Sequence, residues 1–161
     1  RQLAQEGLLV IEPNRGVHVP TLSLAEAVDT YAVRAPLEAM AAGLAAVHST
    51  DADKAELRAY LGAMNAVAVG DFAEHIRTDN AFHELVAGLS GNPVLQETIQ
   101  RLSQRVMRVK ILTRDVNTSA QAHMQHAGIV AAIVAGDQAA AEAAMSEHIR
   151  TNLEIVKHRL G

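Results

Sequence analysis

A chain of 161 residues, 49% apolar but only 2% aromatic, is long enough to bury a real core as one compact domain with at most a small appendage. Scarce β-branched and aromatic residues favour packed helices over sheet. The net charge of −4 excludes a chain that traps nucleic acid by bulk electrostatics, and the lack of cysteine excludes disulfides and thiolate ligands. With no apolar run of about 18 residues and no signal-peptide pattern, a cytoplasmic protein with no membrane partner is expected.

Residues 1–20 read differently from the rest. The chain begins without Met, inside what reads as a helix, as it would if an N-terminal portion were missing. Arg1–Glu6 has the character of a helix end, Gly7 of its left-handed stop and Leu8–Ile11 of a short apolar strand. The turn signal Pro13-Asn14-Arg15-Gly16 leads into Val17-His18-Val19, which predicts a β-hairpin closed by Pro20.

From Ser23 onward the apolar period is helical. Ser23 caps a helix that includes Tyr31 and Arg34, and Pro36, lacking an N–H, is expected to kink it or start a new helix running to about His48. Thr50, with Asp53 in the first turn, caps the next, to about Val69. Gly70-Asp71 introduces a helix ending near Ser90-Gly91. Asn92-Pro93 opens a long one to about Asp115 with the stripe Leu95, Ile99, Leu102, Val106, Val109. Ser119 starts a further helix, and Gly136-Asp137 is both its stop and the cap of a last helix reaching Leu160. Short links between long amphipathic helices predict an all-α fold, an antiparallel bundle of about six or seven helices with sites built between facing helices.

Asp79 and His83 lie one helical turn apart and share a face with Phe72, Ile76, Phe82, Val86 and Leu89. A carboxylate drawn out of water needs an ion pair, a proton or a metal. His126 and His148, each among apolar neighbours in later helices, complete a set of three imidazoles and one carboxylate suited to a divalent transition metal. This donor set leaves zinc, nickel, manganese and iron open. The competing reading makes each histidine an ordinary hydrogen-bonded residue and pairs Asp79 with Arg77 or a nearby lysine. His75 and His123, close to Asp79 and His126 in helical phase, are not excluded as ligands by spacing; His18, His48 and His158 read as solvated or capping residues.

Arg34 stands in a mostly apolar stretch, where a guanidinium facing a bundle cavity can grip a carboxylate by two hydrogen bonds. The alternative is a salt bridge to Glu38, one turn on. Arg101, Arg105 and Arg108 offer either a second grip or a solvated flank. Asn152, one turn after His148, either lines the same cavity or sits at the surface.

Several segments occur in an order that resembles a known family. They are Tyr-Ala-Val-Arg-Ala-Pro-Leu-Glu (31–38), Asp-Asn-Ala-Phe-His (79–83), Gly-Asn-Pro-Val-Leu (91–95), His126 before Ile-Val-Ala-Ala-Ile, Gly-Asp (136–137) and Met-Ser-Glu-His-Ile (145–149). Residues from about 22 to 160 resemble the all-helical effector-binding (FCD) domain of the FadR-type branch of the GntR transcriptional regulators. The resemblance implies that Asp79, His83, His126 and His148 bind a divalent metal, zinc first among the candidates. It also implies that Arg34 holds the carboxylate of a small organic-acid effector, with Asn152 and Arg105 completing the effector site on the reading above. One departure is Gln125, where an acidic residue is frequent; it leaves the four ligand positions intact.

Residues 1–20 resemble the tail of a winged helix-turn-helix, with Arg1–Leu8 as the end of the recognition helix and Arg15-Gly16 at the wing tip, where a basic side chain can enter the minor groove. The helix-turn-helix core is absent from the sequence, so this piece alone is expected to bind DNA poorly. The expected organisation is therefore residues 1–20 as the remnant of a DNA-binding domain and 21–161 as a helical metal- and effector-binding domain. The whole is expected to be a ligand-responsive regulator, by default a repressor, that binds operator DNA as a homodimer. The rival readings are a metal-free acyl or sugar-acid sensor and a mononuclear metallohydrolase. Against an enzyme, the sequence has no His-Glu-x-x-His, no paired Glu-x-x-His and no nucleophile with an adjacent base.

Overall fold

The computed structural model describes residues 10–12, 16–18, 23–68, 70–113 and 120–161. Strands β1 (Val10–Glu12) and β2 (Gly16–His18) pair antiparallel, Val10 opposite His18 and Glu12 opposite Gly16, so a hairpin forms where one is expected. Gly16 has φ of 87°, a conformation that side-chain-bearing residues avoid. The expected helix end over Arg1–Glu6, the stop at Gly7, the turn residues Pro13, Asn14 and Arg15, and Pro20 lie outside the described residues.

Six helices follow among the described residues: α1 (Leu24–His48), α2 (Asp51–Asn65), α3 (Phe72–Leu89), α4 (Pro93–Thr113), α5 (Ala120–Ala135) and α6 (Gln138–Leu160). Their starts are fixed by side chains that satisfy otherwise orphaned N–H groups. Ser23 accepts from the Glu26 amide at 3.1 Å, Asp71 from Glu74 at 3.1 Å, Asn92 from Leu95 at 3.1 Å and Asp137 from Ala140 at 3.0 Å. Thr50 and Asp53 form a reciprocal capping box.

Two boundaries differ from the sequence reading. Helix α1 continues through Pro36 rather than starting anew there, because Pro36 and Ala32, whose carbonyl loses its helical donor, both lie on the exposed side. Helix α2 stops at Asn65, short of Val69; the Ala68 carbonyl beyond it is taken instead by the Asp71 amide at 3.1 Å and by the His75 ring at 3.2 Å. The expected end at Asp115 and start at Ser119 lie outside the described residues.

Helix α1 is the hub, packed against α3, α4, α5 and α6. Its small buried residues Ala42, Ala45 and Ala46 let Ile129 and Ile133 of α5 and Met145 and Ile149 of α6 close over it, while Ala41 joins Ala87, Leu95 and Ile99 in a second apolar cluster. No helix among the described residues is long and apolar enough to cross a membrane. At the α5–α6 corner Gly136 has φ of 72°. Gly136→Ala should therefore destabilise the fold by about 1–2 kcal/mol through backbone strain alone, since a Cβ there would meet only the Ala46 carbonyl at 3.6 Å. Urea unfolding should show a lower midpoint with an unchanged slope.

Candidate metal centre

Helix α3 supplies Asp79 and His83, α5 supplies His126 and α6 supplies His148, and one ligand atom from each lies within 4.8 Å of all the others. All three imidazoles are buried, while the Asp79 side chain keeps 16% exposure. The rings pack on one another: His126 and His148 have centroids 4.4 Å apart, and His83 stacks on His148 at 5.3 Å. Phe82 stands edge-on to both His83 and His126 and walls the group. His75 and His123 stay outside the group, His75 through its bond to the Ala68 carbonyl. His48 is exposed and contacts the Ser90 carbonyl at 2.7 Å.

Asp79, His83 and His148 each have a partner behind them. Asp79 Oδ2 is ion-paired with Lys110 of α4, while Asp79 Oδ1 lies 3.3 Å from His126 Nε2 and Oδ2 lies 3.6 Å from His83 Nε2. Arg77 is not the partner of Asp79; it pairs with Glu74 at the surface. The carboxylate thus meets a lysine and the histidines together. On the far side of His83, Nδ1 contacts Glu38 Oε2, and Glu38 Oε1 accepts from Arg34 Nε at 2.6 Å. The Arg34–Glu38 salt bridge is therefore made, but Arg34 Nη1 remains buried without a hydrogen bond among the described residues. Arg34 also lies 5.4 Å from the centre of the Tyr31 ring.

His148 is gripped at both nitrogens. The Asn152 amide nitrogen lies 3.1 Å from Nε2 and can only donate, so Nδ1 carries the proton and donates to Gln125 Oε1 at 3.2 Å. Gln125 Nε2 in turn donates to Thr151 Oγ1 at 3.0 Å. Asn152 is thus buried beside the cluster. Arg105 is not brought to it: it is exposed and lines an outer hollow with Ser23, Glu26, Asp29, Thr30 and Leu102. On α4 it stands about 140° around the axis from Lys110, the residue that does point inward. Arg101 pairs with Glu97, and Arg108 with Glu26 at 3.0 Å. Glu38, Lys110 and Gln125 were not read as site residues from the sequence.

Burial and charge act against each other here. Burial disfavours the Asp79 anion, yet Lys110, His83 and His126 outweigh it and hold the carboxyl well below the usual range. Glu38 is likewise disfavoured by burial and still held low by Arg34 and His83. Burial opposes the charge on Arg34, but Glu38 and Tyr31 more than restore it. For His83 burial, aided by Arg34, lowers the pKa despite Glu38 and Asp79, and for His148 burial with His126 and His83 lowers it strongly. Neutral imidazoles are the form that binds metals. Both His83 ring nitrogens and His126 Nε2 are buried without a hydrogen bond of proper geometry among the described residues, although His83 Nδ1 faces Glu38 and His126 Nε2 faces Asp79. These residues fit a cation.

The same shifts give a pH dependence for the metal-free protein. With His83 and His148 below the ordinary 6.5, the unfolded chain takes up protons on them that the folded protein refuses. Stability is then full above that value and falls as the pH drops through it. Asp79 and Glu38 extend the loss below their ordinary 3.8 and 4.5. Melting temperatures in chelator, taken from neutral to acid, should decline from about pH 6.5 downward; a profile level until the carboxylate range would contradict the imidazole contribution.

Residues 29–151 match the FCD domain family. The HTH-type transcriptional repressor RspR of Escherichia coli (strain K12) is 29% identical over 161 residues, spanning 97% of this chain and 69% of the relative. The fold is similar to that of E. coli McbR/YncC, with a TM-score of 0.83 at 24% identity over 98% of this chain and 80% of the other. It is also similar to a structure described as the metal-free FCD domain of TM0439, with a TM-score of 0.69 at 15% identity over 88% and 98%. These two likenesses bear on the fold alone. The relatives are transcriptional regulators rather than enzymes, which sets the metallohydrolase reading aside. The chain belongs to the GntR family of transcriptional regulators and carries their FCD effector-binding domain.

Proposed function

We propose that Asp79, His83, His126 and His148 hold one divalent transition metal, zinc first among the candidates, and that the metal together with Arg34 and Asn152 binds a small organic acid. The observation that carries this reading is the convergence of four ligand atoms within 4.8 Å from three helices. The unsatisfied nitrogens of His83 and His126 support it. When bound, the ion would supply a fixed positive charge for a carboxylate. The chain's own part is positioning. Glu38 and Gln125 orient the rings of His83 and His148 from behind, and Glu38 takes the Nε edge of Arg34, leaving Nη1 for an incoming oxygen.

On this reading the effector shifts the balance between two arrangements of a homodimeric repressor on operator DNA, by no more than its differential affinity for them. Residues 1–20 are the end of the DNA-binding domain, and the β1–β2 hairpin, with Gly16 at positive φ, suits a wing carrying Arg15-Gly16 at its tip. A second reading is a metal-free acid sensor. It is favoured by Lys110, which already neutralises Asp79.

Elemental analysis of protein purified without chelator separates the two. The metal reading expects about one equivalent of a transition metal, and a rise in melting temperature on reloading the stripped protein. His126→Gln should abolish both, and should lower the metal-loaded melting temperature more than the metal-free one, because an amide can still reach Asp79 but replaces the imidazole ligand. Absence of metal together with no thermal response to zinc, nickel, manganese or iron would leave only the metal-free sensor.

Arg34→Lys keeps a cation beside Glu38 but removes the fork. Titration calorimetry with a panel of small hydroxy- and dicarboxylates should show binding weakened about ten- to hundredfold, the equivalent of one charge-assisted bond, at unchanged metal content. Undiminished affinity would remove Arg34 from the effector site.

A further inference from the structure

Lys110 is a buried cation among ligands that would themselves receive a cation. It keeps 7% exposure, on the same face of α4 as Val106 and Thr113, and its ammonium sits on Asp79 Oδ2. The neighbouring charges are already balanced in pairs, Lys110 against Asp79 and Arg34 against Glu38, with neutral imidazoles between them. An apolar residue at this buried position would leave the Asp79 carboxylate to the histidines alone. A dication entering here meets a carboxylate that is partly spent and an ammonium within a few ångströms, in surroundings where water screens poorly.

We propose that Lys110 is the resident cation of this site: it stands in for a metal at Asp79 in the metal-free protein and opposes metal entry. It thereby sets the affinity for a divalent cation below what three imidazoles and a carboxylate alone would give. This rests on the metal reading above and adds to it a residue that makes loading reversible. A purely structural lysine, present only to neutralise Asp79 for folding, would behave differently: its removal would loosen the fold and leave metal binding unchanged or weaker.

The test is competition of the full chain against a chromophoric chelator for Co²⁺ and for Zn²⁺ at neutral pH. Native protein is compared with Lys110→Gln, which can still hydrogen-bond Asp79, and with Lys110→Arg, which keeps the charge. Lys110→Gln is expected to bind both ions about tenfold tighter or more, since even a well-screened remnant of the repulsion amounts to that factor, and Lys110→Arg to match native protein. Circular dichroism establishes that each variant is folded; if Lys110→Gln is not, Lys110→Met replaces it with the same expectation. Equal or weaker binding by a folded uncharged variant overturns the proposal, as does equal tightening in Lys110→Arg. If native protein binds Co²⁺ and the uncharged variant gains nothing, only the role of Lys110 falls. If no form binds either ion, the metal reading falls with it. Binding confined to the uncharged variant would show that Lys110 excludes the ion outright, and would overturn the metal reading for the native protein.

Discussion

The Asp79 carboxylate, mostly withdrawn from water inside a helical bundle, is the constraint from which the site follows. An anion in that position is tolerable only if donors and cations come to it from elsewhere. They come from its own helix as His83, from α4 as Lys110 and from α5 as His126, with His148 of α6 packed against both imidazoles. Through His83 the demand passes to Glu38 and Arg34 of α1. Five of the described helices are therefore tied at one polar point within an apolar core, and the same interactions that make the point tolerable gather four side chains that could hold a cation.

Behind the ligands stand two orienting chains of different character. His83 is backed by an anion, Glu38, itself steadied by Arg34; His148 is backed by a neutral amide, Gln125, itself steadied by Thr151. A carboxylate behind an imidazole strengthens its remaining nitrogen as a donor to a metal, and an amide does so less. The tautomer of His148 is fixed nonetheless, because Asn152 can only donate to Nε2. Nε2 is thus the nitrogen whose lone pair is available, held in the metal-free protein by a group that a metal would have to displace.

The elements, and the gathering of Asp79 with His83, His126 and His148, were largely legible in the sequence because they rest mostly on local helical rules. Ser23, Thr50, Asp71 and Asp137 are caps whose donors lie three residues on, and the Asp79–His83 spacing places both on one helical face. What was not legible depends on contacts between helices. His75 shares the helical phase of Asp79 and His83 but stands about 12 Å along the axis from His83 and contacts the Ala68 carbonyl instead. Lys110 follows Arg105 and Arg108 in a basic stretch that does not set it apart from its neighbours. Its position one turn after buried Val106 was the available signal that it faces inward. Gln125, a departure from the family pattern one residue from a ligand, acts on a different ligand, His148, across two helices.

The sequence posed Arg34 as either a salt-bridge partner or a carboxylate grip; the salt bridge is made and leaves Nη1 unsatisfied, so on the proposed function the first would prepare the second. A guanidinium carries five N–H donors in a rigid plane, and a single carboxylate oxygen on Nε cannot exhaust them. A free arginine in a bundle would sample many rotamers and lose that freedom on binding. Held by Glu38 below and Tyr31 beside it, Arg34 has already lost it, and its unsatisfied Nη1 gains a bond when an anion arrives rather than exchanging one. Because Glu38 also contacts His83, an anion on Arg34 draws on the same buried charge that steadies a metal ligand. Effector and ion would then be coupled through Arg34, Glu38 and His83 without a moving part, by electrostatics at contact distance.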